Sequence, residues 1–402
     1  MDALQLPAPL LSVYYEMLNI PQFRLMDEKM YSPWLPSRVK SQPVRYAIAA
    51  AFVLSFLLLT LHLSFGTYTP LTAKLTRQFA QRDLLRDVYN GTLGFEKVFA
   101  ISLSERTDNR DSLVLATALS GFGVGFIDGV RKDNILPKVL PADFKHPTID
   151  NSIAAWRAHM NTLQTIVHHN ISSALILEDD IDWDVRLKPQ LEDFARSSNA
   201  LLIHGDGNEE LYFDDLPPTP PPNTSPYGDG WDVLWLGHCG QKLPGHRGYR
   251  VVHENDSAVA QTQHYTTWDG KGGNPGGYAN HTRVTSIHPV WSMCTLAYAV
   301  SQSGARKILH DIGLHQYGDT GAFDMMLRDW CDNLHTECFG VFPPLFSTHW
   351  RAGSTAADSD IHNGNADWRE KAVTPNIRWS VRLNMKKLLI GDTEYEDQWP
   401  DA

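Results

Sequence analysis

Twenty consecutive residues, Tyr46–Phe65 (YAIAAAFVLSFLLLTLHLSF), carry no formal charge. A backbone crossing lipid must satisfy its own amides, so an apolar run of about twenty residues reads as a membrane-spanning helix. The run begins too far from the N-terminus for a cleaved signal peptide, and no small-residue cleavage pattern closes it. Arg38, Lys40 and Arg45 precede it and Lys74 and Arg77 follow, so the positive-inside bias is small. The five N-x-S/T sequons, at Asn90, Asn170, Asn223, Asn255 and Asn280, all lie after the run. So do the four cysteines, Cys239, Cys294, Cys331 and Cys338. An even count in a lumenal domain permits two disulfides, and spacing alone does not select the connectivity. Cys331–Cys338 with Cys239–Cys294 is the expected pairing, and four buried thiols is the alternative. The reading is a single-pass type II protein of the Golgi or endoplasmic reticulum membrane. Residues 1–45 form a cytosolic tail with a local helix near Leu11–Leu18, 46–65 the membrane helix, 66–92 a partly helical stem and 93–402 a lumenal domain.

Within that domain short apolar runs alternate with helical patterns. Lys97–Leu103, Val124–Asp128, Ala174–Leu177, Asp232–Leu236 and Ala297–Val300 read as strands. A charged helix start follows the first, and Ser152–His169 carries Ile153, Trp156, Met160, Leu163 and Ile166 at helical spacing, with Asp150 or Ser152 as cap. A helix is expected over 303–309 and an amphipathic stretch over 378–389. Such alternation predicts an α/β fold with a mostly parallel sheet. The proline-rich stretch 204–230 and the Gly/Asn/Thr-rich stretch 266–286 read as loops, and residues beyond about 350 as loosely structured.

The chemistry concentrates where the third strand ends. Glu178, Asp179, Asp180, Asp182 and Asp184 place five acids in seven positions directly after ALIL. Ligands of open α/β sheets bind beyond the carboxyl ends of the strands. Crowded carboxylates there call for a positive partner, and a hard divalent cation, Mn²⁺ or Mg²⁺, suits oxygen ligands and can share a diphosphate. A solvated acidic turn is the plainer alternative. A net charge of −11 with no long basic run excludes a nucleic-acid partner. No phosphate-binding G-x-x-x-x-G-K-[ST], zinc H-E-x-x-H or esterase G-x-S-x-G motif occurs. Of the twelve tryptophans most are expected in the core, while Trp183 and Trp291 are placed to stack on sugar.

The succession FAISLSERTDNR, FIDG, AAWRAHMNTL and ALILEDDIDW resembles glycosyltransferase family 25, which includes bacterial lipooligosaccharide and animal collagen galactosyltransferases. AYAVSQSGARKIL, Phe323-Asp324, VFPPLFSTHW and Ser359-Asp360-Ile361 resemble its later parts, so the likeness spans roughly residues 97–361. The chain departs from the family pattern at Ala154-Ala155, where Gly-Cys is usual, and at Ala158, where Ser is usual. The resemblance implies a GT-A type, Rossmann-like fold, a nucleotide-sugar donor (a UDP-sugar), a glycan or hydroxylated protein acceptor and transfer of a hexose, galactose among the options, with inversion. It implies Asp180 as first metal ligand, with Glu178, Asp179 and Asp182 around the donor ribose, sugar and metal; His349 is the candidate late metal ligand, with core packing beside Trp350 as its alternative. Arg106 and Arg110 would meet the nucleotide or diphosphate and Asp128 the nucleoside. The alternatives are a surface helix start for the arginines and a cap for Asp128. Asp324, and second Asp319, would take the acceptor proton; either could instead cap a helix. His159, beside Trp156 and Leu163, is expected to pack in the core. Two other functions fit the same acids: a metal-dependent phosphoesterase and a non-catalytic, cation-dependent carbohydrate-binding membrane protein.

Overall fold

The computed structural model describes Ser55 and residues 83–401, apart from 142–143, 145–149, 208, 268–271, 316–320, 334 and 362–366. By contacts the chain divides into Met1–Ala80 and Gln81–Ala402, and the second unit is the subject below. No helix among the described residues is long and apolar enough to cross a membrane. The tail, the run Tyr46–Phe65, the first part of the stem and Asp319 lie outside the described residues.

The strands among the described residues, in chain order, are β1 (Lys97–Ser102), β2 (Gly125–Asp128), β3 (Ser173–Glu178), β4 (Ile181–Trp183), β5 (Leu211–Tyr212), β6 (Val233–Gly237), β7 (Gly240–Lys242), β8 (Arg250–His253), β9 (Arg283–Ile287), β10 (Val290–Met293), β11 (Ala297–Ser301), β12 (Cys338–Phe342), β13 (Phe346–Thr348), β14 (Gly353–Ser354) and β15 (Trp368–Arg369). The helices are α1 (Thr107–Leu119), α2 (Asn151–His168), α3 (Leu187–His204), α4 (Gln302–Ile308), α5 (Phe323–Cys331) and α6 (Val381–Leu389). The main sheet runs β2-β1-β3-β11-β6-β12-β9-β8-β5. Its pairings make seven of these nine strands point one way, with β11 and β9 reversed. The fold is therefore mixed α/β around a mostly parallel sheet.

The sequence explains the layering. In β3 every position from Ser173 to Leu177 is buried, which an apolar run on a doubly covered strand requires. Leu175 and Leu177 face a core shared with α1, α3 and α6. Ala174 and Ile176 face the other, shared with α2, α4 and α5. Helix α2 starts as its cap predicts: Asp150 Oδ1 accepts from the amides of Ser152 (3.0 Å) and Ile153 (3.1 Å).

Several expectations change. Val88, within the residues assigned to the stem, is fully buried, as is Leu93 at the start of the lumenal domain. The stretch 266–286 contributes most of β9, a wholly buried strand, because Arg283 finds Asp256 at 2.8 Å inside the fold. Trp183 is fully buried, its Nε1 donating to Ser120 Oγ at 2.8 Å, and is a core residue with no face for sugar. The expected disulfides, Cys239–Cys294 and Cys331–Cys338, are both present.

Candidate functional site

A cleft of about 210 Å³ opens at the carboxyl ends of β1 and β3. Its walls include Arg106 just before α1, Asn109 within it, Asn151, Ala154, Ala155 and Ala158 from α2, the turn Glu178–Asp180, and the segment Asp358–Ile361. The three alanines, where the likeness to the family breaks, line the cleft on the α2 side.

Each acid of the cluster has a different employment. Asp179 ties strand ends together: Oδ2 accepts from Ser102 Oγ at 2.6 Å and Oδ1 from Asn109 Nδ2 at 2.9 Å. Glu178 accepts from Thr295 Oγ1 at 3.2 Å. Burial, then the neighbouring charges of Asp180 and Asp324, push its carboxyl up to about 8. Asp180 is pushed up to about 7 by burial and then by Asp179, with the guanidinium of Arg382 pulling the other way. Asp180 Oδ1 is buried without a hydrogen-bond partner.

Asp182 and His349 do not join this group. The chain turns at Asp179-Asp180 and restarts as β4, which pairs with β13. Asp182 is fully buried and takes hydrogen bonds from Thr374 Oγ1 (2.7 Å), Ser380 Oγ, and the amides of Trp183 (2.8 Å) and Arg382 (3.1 Å). Burial raises its proton affinity, but His349, Arg382 and Ser380 outweigh it and hold the carboxyl below its ordinary range. His349 Nδ1 lies 2.9 Å from Thr374 Oγ1 and 3.6 Å from Asp182 Oδ2. The expected metal set of Asp180, Asp182 and His349 is thus not assembled, because the turn sends Asp182 into the C-terminal segment. Among the described residues no three His, Cys, Asp or Glu side chains converge as a cation cage. Asp184 is likewise spent, on the amides of Arg186 (2.9 Å) and Trp379 (3.2 Å).

Arg110 and Asp128 are brought to each other at 2.6 Å, with Arg110 also on Ser102 O at 2.8 Å, and neither lines the cleft. Arg106 does line it, held by Asp360 and by Asp108 at 3.1 Å. His159 is buried as expected. Its ring stacks on Phe323 at 4.3 Å and its Nδ1 lies 3.1 Å from Tyr298 Oη. Burial drives it down to about 3, so it is neutral. Asp324 sits in the first turn of α5, and its Oδ2 accepts from the Cys294 amide at 2.9 Å.

One residue escaped the sequence reading. Arg382, on α6, is buried, donates to Asp179 O at 2.8 Å and to Ser112 Oγ at 3.0 Å, and puts a fixed positive charge beside Asp179, Asp180 and Asp182. Nothing local marks it, since an arginine in an amphipathic helix looks like any surface charge.

No family profile matches the chain. A Bos taurus protein named "Probable inactive glycosyltransferase 25 family member 3" is 22% identical over 229 residues, 54% of this chain and 29% of the relative. The proteins named "Inactive glycosyltransferase 25 family member 3" from Homo sapiens and Mus musculus are 22% and 23% identical over 288 residues, 69% of this chain and 38% and 39% of theirs. The chain spans about a third of the length of these curated relatives and is distantly similar to proteins of glycosyltransferase family 25.

Proposed function

We propose that the chain is a membrane-anchored hexosyltransferase with a GT-A type fold, taking a nucleotide-sugar donor. One observation carries the reading: the turn Glu178-Asp179-Asp180 opens a cleft at the end of β3 opposite Arg106, with Asp180 Oδ1 buried and unpartnered. An orphaned carboxylate oxygen fits one ligand position of a Mn²⁺ or Mg²⁺ ion whose remaining ligands come from a diphosphate and water. When bound, such an ion offsets the negative charge that grows on the leaving diphosphate. Arg106 exchanges Asp360 for the diphosphate, and Glu178, on the same turn, meets the sugar. Asp324, close enough to raise the proton affinity of Glu178, accepts the acceptor hydroxyl proton as its oxygen attacks the anomeric carbon. The carbon–diphosphate bond breaks on the opposite side, which inverts the centre. A UDP-hexose, galactose included, and a glycan or hydroxylated protein are the donor and acceptor classes. The uncharged run Tyr46–Phe65, two disulfides and the five exposed sequon asparagines support a type II protein whose large domain is lumenal.

Arg382 favours a second reading, a carbohydrate- or nucleotide-binding protein without transfer, because a built-in cation already offsets part of the acidic charge. A panel of nucleotide sugars separates the two. The full chain, with Mn²⁺ and mixed glycan acceptors, is expected to release nucleotide from one donor and to lose release on chelation. Asp180→Asn is expected to lower it by roughly two to four orders of magnitude. Donor binding without release supports the second reading. Chelator-insensitive release by Asp180→Asn would remove the metal from the first.

A further inference from the structure

A second cleft, of about 430 Å³, lies away from the acidic turn. Lys242, Arg247, Arg250, Glu210 and Tyr278 are among its walls. In a chain of net charge −11 three cations around one cleft are a local reversal of sign. Glu210 is already engaged, accepting from Tyr278 Oη at 2.6 Å beside Arg250 at 3.6 Å. Among the described residues no carboxylate pairs with Lys242 or Arg247. Arg250 has a side chain only 7% exposed, and its Nε has no hydrogen-bond partner.

Lys242 connects this cleft to an exposed aromatic ring. Its Nζ lies 4.6 Å from the ring centre of Trp291, and the Arg328 guanidinium lies 5.3 Å from the same ring. Trp291 is 54% exposed, whereas Trp156, Trp183, Trp235 and Trp330 are fully buried. It sits at φ +58°, a conformation that a bulky residue rarely adopts and that surrounding structure must impose. The imposition is visible. Cys239, just before β7, and Cys294, just after β10, are joined by a disulfide that clamps the two-stranded ladder carrying the ring. The Cys294 amide in turn donates to Asp324, and Arg328 stands one helical turn beyond Asp324 on α5. The ring is thus carried on a disulfide-clamped ladder, with Lys242 of the cationic cleft and Arg328 of α5 beside it.

We infer that Trp291 and the cleft of Lys242, Arg247 and Arg250 form a subsite for an acidic glycan, its pyranose packed on the exposed part of the indole and its anionic group among the cations. The flat apolar ring suits sugar C–H bonds, and guanidinium and ammonium groups suit a carboxylate or a sulfate ester. The binding claim stands without catalysis; calling the glycan an acceptor rests on the transferase reading.

The test is direct binding to the full chain in detergent, without donor. The probes are three oligosaccharides of equal length: one neutral, one bearing a hexuronate and one O-sulfated. The acidic probes are expected to bind at least about tenfold more tightly than the neutral one, with the excess lost at high salt. Which acidic probe wins distinguishes carboxylate from sulfate. Trp291→Ala is expected to weaken all three. The double variant Lys242→Gln/Arg247→Gln, at exposed positions, is expected to abolish the acidic preference and leave UDP binding unchanged. Equal binding of neutral and acidic probes, no binding of any, or a preference that survives the double variant overturns the subsite. UDP binding measured on the same samples reports separately on the transferase reading: its absence sinks that reading and leaves the glycan result standing.

Discussion

At the scale of single residues the acidic turn makes the stability of the fold depend on pH in an unusual direction. Glu178 and Asp180 hold protons up to about 8 and about 7 in the folded chain. The unfolded chain releases them near ordinary carboxylate values, so in between the folded state binds more protons. Their contribution is full below the unfolded values and is lost as pH rises through the folded ones. Asp182 acts oppositely: its lowered proton affinity stabilises the fold above the ordinary carboxylate range, and that is lost as pH falls. The melting temperature of the ligand-free protein is therefore expected to peak in mildly acidic buffer and to fall from about pH 5 to about pH 8. Asp180→Asn is expected to melt no lower than the parent at neutral pH and to have a shallower fall. A melting temperature that climbs steadily to pH 8 in the parent would refute the buried, mutually repelling arrangement.

At the scale of elements, α6 is the latch behind the site. Ser380 caps it, accepting from the Leu383 amide at 3.0 Å, and the same hydroxyl donates to buried Asp182. Arg382, in its first turn, covers the back of Asp179 and Asp180. A lost cap costs about 1 kcal/mol and a lost hydrogen bond to a buried charge about 1.5–3 kcal/mol. Ser380→Ala is accordingly expected to destabilise the domain by about 2–4 kcal/mol in urea unfolding. A change under about 0.5 kcal/mol, the size of an ordinary surface substitution, would mean that Asp182 finds another partner and that α6 is no latch.

At the scale of the whole molecule the prediction is topological. In sealed microsomes, added protease is expected to remove only the N-terminal tail and to spare the region that carries the two disulfides. Endoglycosidase is expected to lower the apparent mass, because Asn90, Asn170, Asn223, Asn255 and Asn280 are all exposed. Digestion of the large domain in intact vesicles would reverse the orientation.

What the chain determined by itself is what local chemistry can encode. An apolar run buried on both faces makes β3, helical spacing with Asp150 ahead of it makes α2, and a run of acids after a strand marks the mouth of a cleft. These signals lie within a few residues of one another. Other features depend on partners far away in sequence. Arg283 makes the stretch that holds β9 look like polar loop until Asp256 meets it. Asp180 and Asp182 are two residues apart and chemically alike, yet one opens on the cleft and the other is sealed against Ser380. The turn at Asp179-Asp180 and the pairing of β4 with β13 divide them, and no local pattern records a pairing with a strand more than 150 residues on. Only the tertiary structure could bring Arg382 beneath the acids, because a charge has a role there only once its counter-charges are within reach.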